Sequence, residues 1–369
     1  MESYDVVVVG AGTAGLSAGR VLQDRDVKYI ILDSKKEIGK PIRSTGGVSY
    51  TFVNKLGMPK TEDVVAAKIR SLALRDDIDN EANLSFDHDV GVVYDFTAYE
   101  KKLAAGLNVK MGTTVQNITG DRIKTTDGDY VAKNVIVASG PQSSLVPNEE
   151  YKLKPRDTII AYEETRKLPP RTDYDLILWF SSYAPGGYVW DFPDSGNKRR
   201  IGIGIVKTSN LNPKDMLRRF TNEHTFEIDG EVDHTISHQI PVARPVKRVV
   251  IKNVCYAGDI AHTCFPDTGG GLQSAFWSGS MAARACADGN PEKYQEMYSA
   301  ELYKLLSRHY KVKKILYSLS NKDKGKVLNM IRDFTLTSED PMKEIPRLIS
   351  YVIRKNPIIA WKILKSYVV

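Results

Sequence analysis

The feature that most constrains the fold of this chain lies near its beginning, over residues 4–33. A β-branched stretch at Asp5–Val9 leads into the turn Gly10–Gly15, a helical stretch and a second apolar stretch at Tyr29–Leu32. The order of strand, glycine-rich turn, helix, strand and acid is typical of a βαβ unit that binds a dinucleotide. Its glycines allow a tight turn, close approach of the backbone to a pyrophosphate, and packing of helix on strand. We therefore expect a dinucleotide here, with Asp33 accepting hydrogen bonds from a ribose.

The composition is that of a soluble globular protein. The 369 residues suffice for two domains or one large one, with 42% hydrophobic and 26% charged residues. No apolar run approaches the roughly 18 residues that a membrane-spanning helix needs, and no secretory signal precedes the first strand. The cysteines Cys255, Cys264 and Cys286 lack CxxC spacing, so neither a disulfide framework nor a metal site is predicted. We expect a cytoplasmic protein.

The positive charge is concentrated in the tail. Residues 301–369 hold 15 Lys and Arg against 6 Asp and Glu, a net +9, whereas the first 300 residues carry a net −2. Such a tail would suit nucleic acid, an anionic membrane surface or an acidic partner. Because the tail contains no recognised nucleic-acid-binding module, we do not expect nucleic acid as a partner.

The remaining patterns predict an α/β fold with an α+β insert. Alternating apolar residues indicate antiparallel strands of a substrate-binding domain at 67–94 and 156–250. A discontinuous, Rossmann-like nucleotide domain then comprises residues 1–66, 95–155 and 251–290, and a basic helical region fills 291–369. Within the nucleotide domain, a helix is expected over 97–105, with Thr97 as its N-cap and Glu100 completing a capping box.

A second strand, glycine-rich turn and helix at residues 254–287 favours FAD over NAD. A strand at Val254–Ala257 leads to Gly258 and Asp259, and the turn Gly269–Gly271 precedes a helix to about Ala287. An extended FAD needs such a second contact region for its ribityl chain and flavin ring. Asp259 would accept ribityl hydroxyls, and the helix N-terminus would place its positive end near the flavin N1/C2 region. The alternative is an ordinary strand–turn–helix.

The motifs GAGTAG, GKPIRSTGG, VIVASG and AGD…FPDTGGGL occur in the order found in p-hydroxybenzoate-hydroxylase-fold flavoproteins, which the chain resembles over about residues 1–290. Within that group, YVWDFP, eight residues and then GIG are similar to the strand motif of archaeal geranylgeranyl reductases. The resemblance implies an FAD enzyme that saturates isoprenoid double bonds in membrane-lipid precursors. It also implies that Val115 and Ala138 neighbour the adenosine, and that Arg43 contacts the FAD phosphates or ribityl chain.

The predicted cofactor-binding residues come from these motifs. They are Gly10, Gly12, Thr13, Ala14, Gly15, Asp33, Ser34, Arg43, Ser44, Val115, Ala138, Gly140, Gly258, Asp259, Gly270, Gly271 and Leu272. The chain also departs from its relatives. Ser44 stands where related reductases often have a cysteine, Ser139 replaces the Asp of an Asp-Gly pair, and the arginine that many hydroxylases have near Asp95 is absent. These departures weaken the interpretation as an NADPH-dependent hydroxylase more than the interpretation as a reductase. They leave open whether NAD(P)H or ferredoxin is the external reductant.

The strand with the aromatic motif supplies the predicted substrate site. Tyr188, Trp190 and Phe192 alternate along it and therefore share one face of the sheet. Gly202 and Gly204 on the partner strand remove side chains, which predicts a slot for an extended apolar chain beside the flavin. The alternative is an aromatic sheet core.

The predicted reaction is hydride transfer from N5 of reduced FAD to an alkene carbon, with protonation of the neighbouring carbon. An isolated alkene is a poor acceptor, so positioning and exclusion of water must supply much of the rate. Catalytic residues stay unassigned, with His262 and Cys264 as the candidates that follow the AGD motif. The alternatives are a flavin monooxygenase or halogenase of the same fold, or an electron-transfer flavoprotein acting on a membrane quinone. The last usually adds an iron–sulfur module, which three scattered cysteines cannot build.

The tail contains an apolar stripe at helical spacing. Its members are Ile345, Leu348, Ile349, Val352 and Ile353, with Arg347, Arg354 and Lys355 outside it, and a second stretch carries Trp361 and Tyr367. The stripe would pack onto the body or dock peripherally on an anionic membrane. The predicted partners are thus an isoprenoid lipid, a membrane surface and an electron-donor protein.

Overall fold

The structure, a computed structural model, describes residues 2–78, 80–224, 228–332, 334, 341–356 and 359. Its strands are β1 (Glu2–Val9), β2 (Tyr29–Asp33), β3 (Gly47–Ser49), β4 (Val65–Ile69), β5 (Ser71–Asp76), β6 (Glu81–Ser85), β7 (Gly91–Tyr94), β8 (Val109–Met111), β9 (Val115–Thr119), β10 (Arg122–Thr125), β11 (Gly128–Val137), β12 (Thr158–Lys167), β13 (Leu176–Phe180), β14 (Val189–Asp194), β15 (Lys198–Val206), β16 (Val232–Pro241), β17 (Val250–Ile251) and β18 (Val254–Tyr256). Its α-helices are α1 (Thr13–Gln23), α2 (Tyr50–Leu56), α3 (Phe96–Ala104), α4 (Pro213–Glu223), α5 (Leu272–Ala287), α6 (Glu292–Met297), α7 (Tyr303–Ser318), α8 (Asn321–Ile331) and α9 (Pro341–Lys355).

The centre of the first sheet is parallel and buried. Strand β1 lies between β11 and β2, and β18 and β8 extend the parallel order on either side. Val6, Val7 and Val8 are fully buried. A strand inside a parallel sheet is covered on both faces, which explains why its sequence is a continuous apolar run. The predicted βαβ unit at the start of the chain is therefore confirmed.

Helices α1 and α5, which follow the two glycine-rich turns, touch each other through their backbones. A Cβ atom on Gly279 of α5 would lie 2.0 Å from the carbonyl oxygen of Ala14 in α1. The Ser17 hydroxyl of α1 also donates a hydrogen bond to the carbonyl oxygen of Phe276, at 3.0 Å. This close crossing holds the beginnings of the two helices beside one another, and with them the two turns.

The second sheet has seven strands in the order β16-β12-β15-β14-β13-β5-β6. All neighbours are antiparallel except β13 and β5, which run parallel. The insertion predicted at 67–94 divides between two sheets, because β5 and β6 join this sheet whereas β4 and β7 pair with β3 in a small three-stranded sheet. The predicted boundary after residue 66 falls inside β4. Alternation along a strand shows which side chains are buried, but it does not specify the sheet that the strand joins.

The prediction for the start of helix α3 was wrong. Asp95 is the N-cap, and its carboxylate accepts a hydrogen bond from the Ala98 N–H at 3.0 Å. Thr97 instead donates its hydroxyl to the Gly39 carbonyl oxygen, at 3.2 Å. Asp and Thr are both good N-caps, so the pattern allowed either start. Glu100 belongs to the buried face of α3 and to the cavity described below.

The region after Pro291 is helical over the described residues, as predicted. Leu348, Val352 and Ile353 of α9 pack with Ile315 and Leu319 at the end of α7 and just beyond it. These members of the predicted stripe therefore cover the body of the protein. The side chains of Ile345 and Ile349, and the whole of Trp361 and Tyr367, lie outside the described residues. No helix in the described part of the chain combines the length and apolarity required to cross a bilayer.

The crossing of α1 and α5 predicts a large effect of one methyl group. Gly279→Ala should lower the free energy of unfolding by about 1–3 kcal/mol, because the added atom collides with the backbone of α1. The higher helix propensity of alanine, about 1 kcal/mol, offsets part of this loss. Thermal denaturation would measure the change, with Arg284→Ala, at an exposed position of the same helix, as the control. A Gly279→Ala protein as stable as the wild type would contradict the close crossing.

Candidate active site

A cavity of about 850 Å³ lies between the two large sheets. Both glycine-rich turns, the loop 41–49 and one face of the seven-stranded sheet line it. The predicted cofactor residues found together in its wall are Gly10, Gly12, Thr13, Ala14, Asp33, Ser34, Arg43, Ser44, Val115, Ala138, Gly140, Gly258, Asp259, Gly270, Gly271 and Leu272. Tyr188, Trp190 and Phe192 from the predicted substrate site line the same cavity.

The first turn has the geometry of a phosphate cradle. Gly10 has a φ of +110°, and a Cβ there would lie 2.3 Å from the Ala138 carbonyl oxygen. Gly15 packs inside the turn, where its Cβ would lie 1.7 Å from the Gly10 carbonyl oxygen, so it supports the site without lining it. A Cβ on Gly12 would lie 3.8 Å from its nearest neighbour, Oε1 of Glu100, so the space above this glycine is open. Helix α1 begins here without a side-chain cap, so its first N–H groups are available to an anion.

Asp33 holds the first turn in place. Its Oδ2 accepts a hydrogen bond from the Ala11 N–H at 2.5 Å, and its Oδ1 accepts one from the Lys35 N–H at 2.7 Å. The Lys35 ammonium in turn donates to the Ala11 carbonyl oxygen, at 3.1 Å. The carboxylate thus orders the loop itself, and its contact with a ribose stays a prediction.

Glu100 is a cavity residue that sequence reasoning assigned to a helix cap. Its Oε1 accepts a hydrogen bond from the Thr13 hydroxyl at 3.4 Å, and its Oε2 lies 3.8 Å from the Lys35 ammonium. Burial raises the pKa of this carboxyl to about 7, against the opposing charge of Lys35. The sequence did contain a signal for this position. Glu100 lies at the helical spacing of the buried apolar residues of α3, between Phe96 and Leu103.

The second turn carries an unsatisfied buried carboxylate. Asp259 is aimed at the cavity, and its Oδ1 has no hydrogen-bond partner among the described residues. Burial raises its pKa to about 6. Helix α5 begins next to it at Leu272, with Gly271 as N-cap and no capping side chain. A buried acceptor without a donor is costly, and the ribityl hydroxyls of FAD would supply donors. With the open phosphate cradle of the first turn, these residues fit FAD.

The structure separates the two residues that sequence analysis considered for catalysis. His262 does not line the cavity, because its Nδ1 lies 3.3 Å from the Arg244 carbonyl oxygen and its Nε2 lies 3.1 Å from that of Tyr151. The structure therefore does not bring this candidate residue into the cavity. Cys264 does line the cavity, and burial raises the pKa of its thiol well above the ordinary value.

Two other histidines line the cavity, and sequence reasoning considered neither. Burial and the charge of Arg43 lower the pKa of His238, on β16, to about 4, so its imidazole is neutral near pH 7. His309, on α7, lies with its Nδ1 2.7 Å from Oδ2 of Asp267. These residues are 42 positions apart in the chain, and a contact of that kind has no local sequence signal.

The aromatic strand is tied to the rest of the site by polar contacts. The indole N–H of Trp190 donates to the Glu163 carboxylate at 2.8 Å, and the Thr45 hydroxyl donates to the same oxygen at 2.5 Å. Burial raises the pKa of Glu163. The Tyr188 hydroxyl donates to the carbonyl oxygen of Thr268, just before the second glycine-rich turn. The aromatic side chains are thereby fixed relative to both the loop 41–49 and that turn.

The slot predicted opposite these aromatics is filled by Trp190 itself. Trp190 and Gly202 face each other across β14 and β15, and a Cβ on Gly202 would lie 2.2 Å from the indole ring. A Cβ on Gly204 would lie 2.9 Å from Ile159 and 3.7 Å from the indole. Neither glycine lines the main cavity; Gly204 borders a neighbouring one of about 60 Å³. The prediction that Gly202 and Gly204 contact substrate is corrected, since they make room for the indole.

Comparisons with known proteins match parts of the chain that supply the cavity wall. The geranylgeranyl reductase catalytic domain matches residues 157–239, which include the aromatic strand, and an FAD binding domain matches residues 5–73. A digeranylgeranylglycerophospholipid reductase of Methanothrix thermoacetophila is 26% identical over an alignment of 393 residues. The alignment covers 97% of this chain and 98% of that protein. Over these residues the chain is similar to geranylgeranyl reductases. It is an FAD-dependent oxidoreductase.

Solved structures share the fold of this chain. A geranylgeranyl bacteriochlorophyll reductase-like protein from Thermoplasma acidophilum superposes with a TM-score of 0.89 at 23% identity, over 99% of this chain and 100% of that one. A probable FAD-dependent monooxygenase from Pseudomonas aeruginosa superposes with a TM-score of 0.67 at 15% identity, over 88% of this chain and 98% of that one. The fold is thus shared with flavoproteins outside the reductases.

The raised pKa of Asp259 predicts opposite effects of one substitution on stability and on FAD binding. Between its ordinary pKa of 3.8 and about 6, the folded apoprotein holds a proton that the unfolded chain has lost, so stability falls as pH rises. Asp259→Asn removes this loss and should stabilise the apoprotein by up to about 3 kcal/mol at pH above 6. Its FAD affinity should fall about tenfold to a hundredfold, because a charged acceptor for hydroxyls is lost.

Thermal denaturation across pH and fluorescence titration with FAD would measure the two effects. Asp121→Asn, at an exposed position in the turn before β10, is the control. Unchanged FAD affinity of the Asp259→Asn protein would show that the carboxylate does not contact the cofactor.

Proposed function

We propose that this enzyme saturates the double bonds of geranylgeranyl chains in archaeal membrane-lipid precursors, with FAD as its resident cofactor. When bound in its reduced form, FAD supplies a hydride from N5. The observation that carries the proposal is that one cavity joins both FAD turns to the aromatic strand of the reductase catalytic domain. Leu72, Leu176, Leu178 and Ile240 extend the apolar wall beside the aromatic side chains.

The wall of the cavity would position the lipid chain and exclude water from it. An isoprenoid double bond carries no polar group that a hydrogen bond could orient, so its position depends on the shape of the apolar surface around it. Trp190 is held by Glu163, and Tyr188 is held by Thr268. A rigid wall restricts the double bond to few orientations, which favours reaction by reducing the entropy that must be lost in the transition state.

A direct test would use the purified enzyme with dithionite and a geranylgeranyl glycerophospholipid in the absence of oxygen. The product should gain hydrogens in steps of two, as followed by mass spectrometry. Trp190→Ala should lower kcat/KM about 30-fold, which corresponds to about 2 kcal/mol of lost apolar contact. Trp179→Ala is the control, because Trp179 is buried in the same sheet but does not line the cavity.

The possible outcomes separate this reaction from its alternatives. A bound flavin without any gain in product mass would contradict the reductase proposal. Oxygen consumption with NAD(P)H and an aromatic compound would instead indicate a monooxygenase, whose fold the chain shares. Electron transfer to a quinone, with the lipid left unchanged, would indicate an electron-transfer flavoprotein.

We further propose that NAD(P)H or a ferredoxin is the external reductant. Each would be added anaerobically to the oxidised enzyme, and the loss of oxidised-flavin absorbance would identify the donor. Rapid bleaching by a reduced ferredoxin but not by NAD(P)H would establish a protein partner. The reverse result would establish a nicotinamide donor.

Peripheral contact with an anionic membrane surface is proposed from the charge of the C-terminal region. Arg354 and Lys355 at the end of α9 are exposed, in a region of net charge +9. Replacing both by Glu should lower recovery on acidic liposomes at low salt by tenfold or more, since each basic residue contributes about 1 kcal/mol near such a surface. Lys60→Glu/Arg122→Glu, at exposed positions of the body, is the matched control. Equal flotation of the two double variants would contradict contact through α9.

A further inference from the structure

A histidine and an aspartate from distant parts of the chain meet in the wall of the cavity. His309 of α7 lies with its Nδ1 2.7 Å from Oδ2 of Asp267, and their side chains are 7% and 6% exposed. The ring of Phe265 packs edge-on against the imidazole, with the ring centroids 4.6 Å apart. Asp267 lies two positions before the second glycine-rich turn, Gly269–Gly271. The pair therefore lies in the wall near the turn assigned to the flavin end of the cofactor.

The hydrogen bond determines how the imidazole is oriented. An ionised carboxylate can only accept, so Nδ1 carries a hydrogen and Nε2 is left as the second ring nitrogen. Within the described residues, Nε2 has no hydrogen-bond partner, and neither does the buried Oδ1 of Asp267. An imidazole oriented by a carboxylate, with its other nitrogen free beside a cavity, is an arrangement suited to general acid–base catalysis.

The other proton-bearing groups considered are less suited to this task. Both ring nitrogens of His262 lie against carbonyl oxygens outside the cavity. His238 has a pKa lowered to about 4 and is neutral near pH 7. The thiol of Cys264 has a pKa well above its ordinary value, so it gives up its proton reluctantly.

We propose that His309, oriented by Asp267, donates the proton that completes reduction of the double bond. This inference rests on the proposed function. The hydride from reduced FAD forms a C–H bond to one alkene carbon with its own electron pair. The π pair forms the second C–H bond with the proton on Nε2 of the protonated imidazole, whose Nε2–H bond breaks and whose Nδ1–H stays hydrogen-bonded to Asp267. FAD is oxidised by two electrons, the alkene is reduced by two, and the neutral imidazole regains its proton from water.

The substitution pattern of an isoprenoid double bond sets the direction of this addition. The carbon that bears two alkyl branches tolerates developing positive charge better than its neighbour. The hydride therefore goes to the branched carbon, and His309 protonates the carbon that carries a single hydrogen.

Other titratable groups near His309 could also influence how the reaction rate depends on pH. The segment that supplies Asp267 also carries Asp259 and Cys264, and Tyr188 of the neighbouring sheet lines the same cavity with its phenol. Helix α7 itself carries Lys313, whose ammonium is held by Asp157 at 3.1 Å. Asp267 is the group in direct contact, so its carboxylate balances the charge of a protonated imidazole.

The test uses FAD-loaded wild-type, Asp267→Asn and His309→Gln proteins. After dithionite reduction, single-turnover oxidation of the flavin by the lipid should slow by about a hundredfold or more in both variants. The apparent Kd for the lipid should stay unchanged, because neither substitution alters the apolar wall. The wild-type rate should depend on pH, and this dependence should be lost in His309→Gln. The control His234→Gln removes an exposed histidine that also pairs with an aspartate, at 3.3 Å, outside the cavity.

A second measurement does not depend on turnover. In the oxidised holoenzyme, the Nδ1–H of His309 should give a downfield proton resonance that is lost in His309→Gln and altered in Asp267→Asn. Flavin absorbance and melting temperature identify any variant that fails to fold, and the Asn variant retains an amide oxygen that can accept from Nδ1.

The outcomes distinguish this inference from the proposed function. Wild-type turnover combined with equally fast variants and the same pH profile would overturn the role of His309 alone. A wild-type protein that binds FAD but never adds hydrogen to the lipid would overturn both. Slow variants with intact lipid binding and an altered pH profile would support the proton donor.

Discussion

The site depends on the backbone contact between helices α1 and α5. Each helix begins at a glycine-rich turn, and the turns come from parts of the chain more than 200 residues apart. Gly279 lets α5 approach the Ala14 carbonyl so closely that even a methyl group at position 279 would collide with it. Because the helices are fixed against one another, their uncapped N-termini open into the same cavity. Two positive helix ends at a fixed separation suit a cofactor that carries phosphates at one position and an electron-accepting ring at another.

Buried carboxylates form a second layer behind this arrangement. Asp259, Glu100 and Glu163 all have pKa values raised by burial. Glu163 is satisfied by Trp190 and Thr45, and Glu100 by Thr13 and Lys35, whereas Oδ1 of Asp259 awaits a donor. Glu163 and Glu100 therefore order the protein before any ligand binds. Asp259 is different, because its environment becomes favourable only when a hydroxyl-bearing ligand is present.

Much of this architecture could be predicted from the sequence, because it depends on local patterns. The continuous apolar strands, the spacing of Gly10, Gly12 and Gly15, and the second turn before α5 each have a direct backbone cause. Side-chain rotamers are harder to predict from the sequence. Alternation along β14 correctly placed Trp190 on the cavity face, but it did not show that the indole of Trp190 fills the space above Gly202. His262 and His309 differ in the same way. Proximity to a motif favoured His262, whereas the tertiary packing of α7 brings His309 to Asp267.

The position of His309 has a consequence for the order in which the protein becomes complete. Every glycine-rich turn, the aromatic strand and Asp267 are encoded before residue 290, so the nascent chain carries the parts of a flavin-binding body before α7 is made. The imidazole arrives last, on a helix anchored to that body by the Lys313 contact with Asp157 and the Val242 carbonyl oxygen. A body that lacked this helix would also lack His309 in the cavity wall. Residues encoded after position 300 thus complete the wall of a cavity whose two glycine-rich turns lie within the first 271 residues.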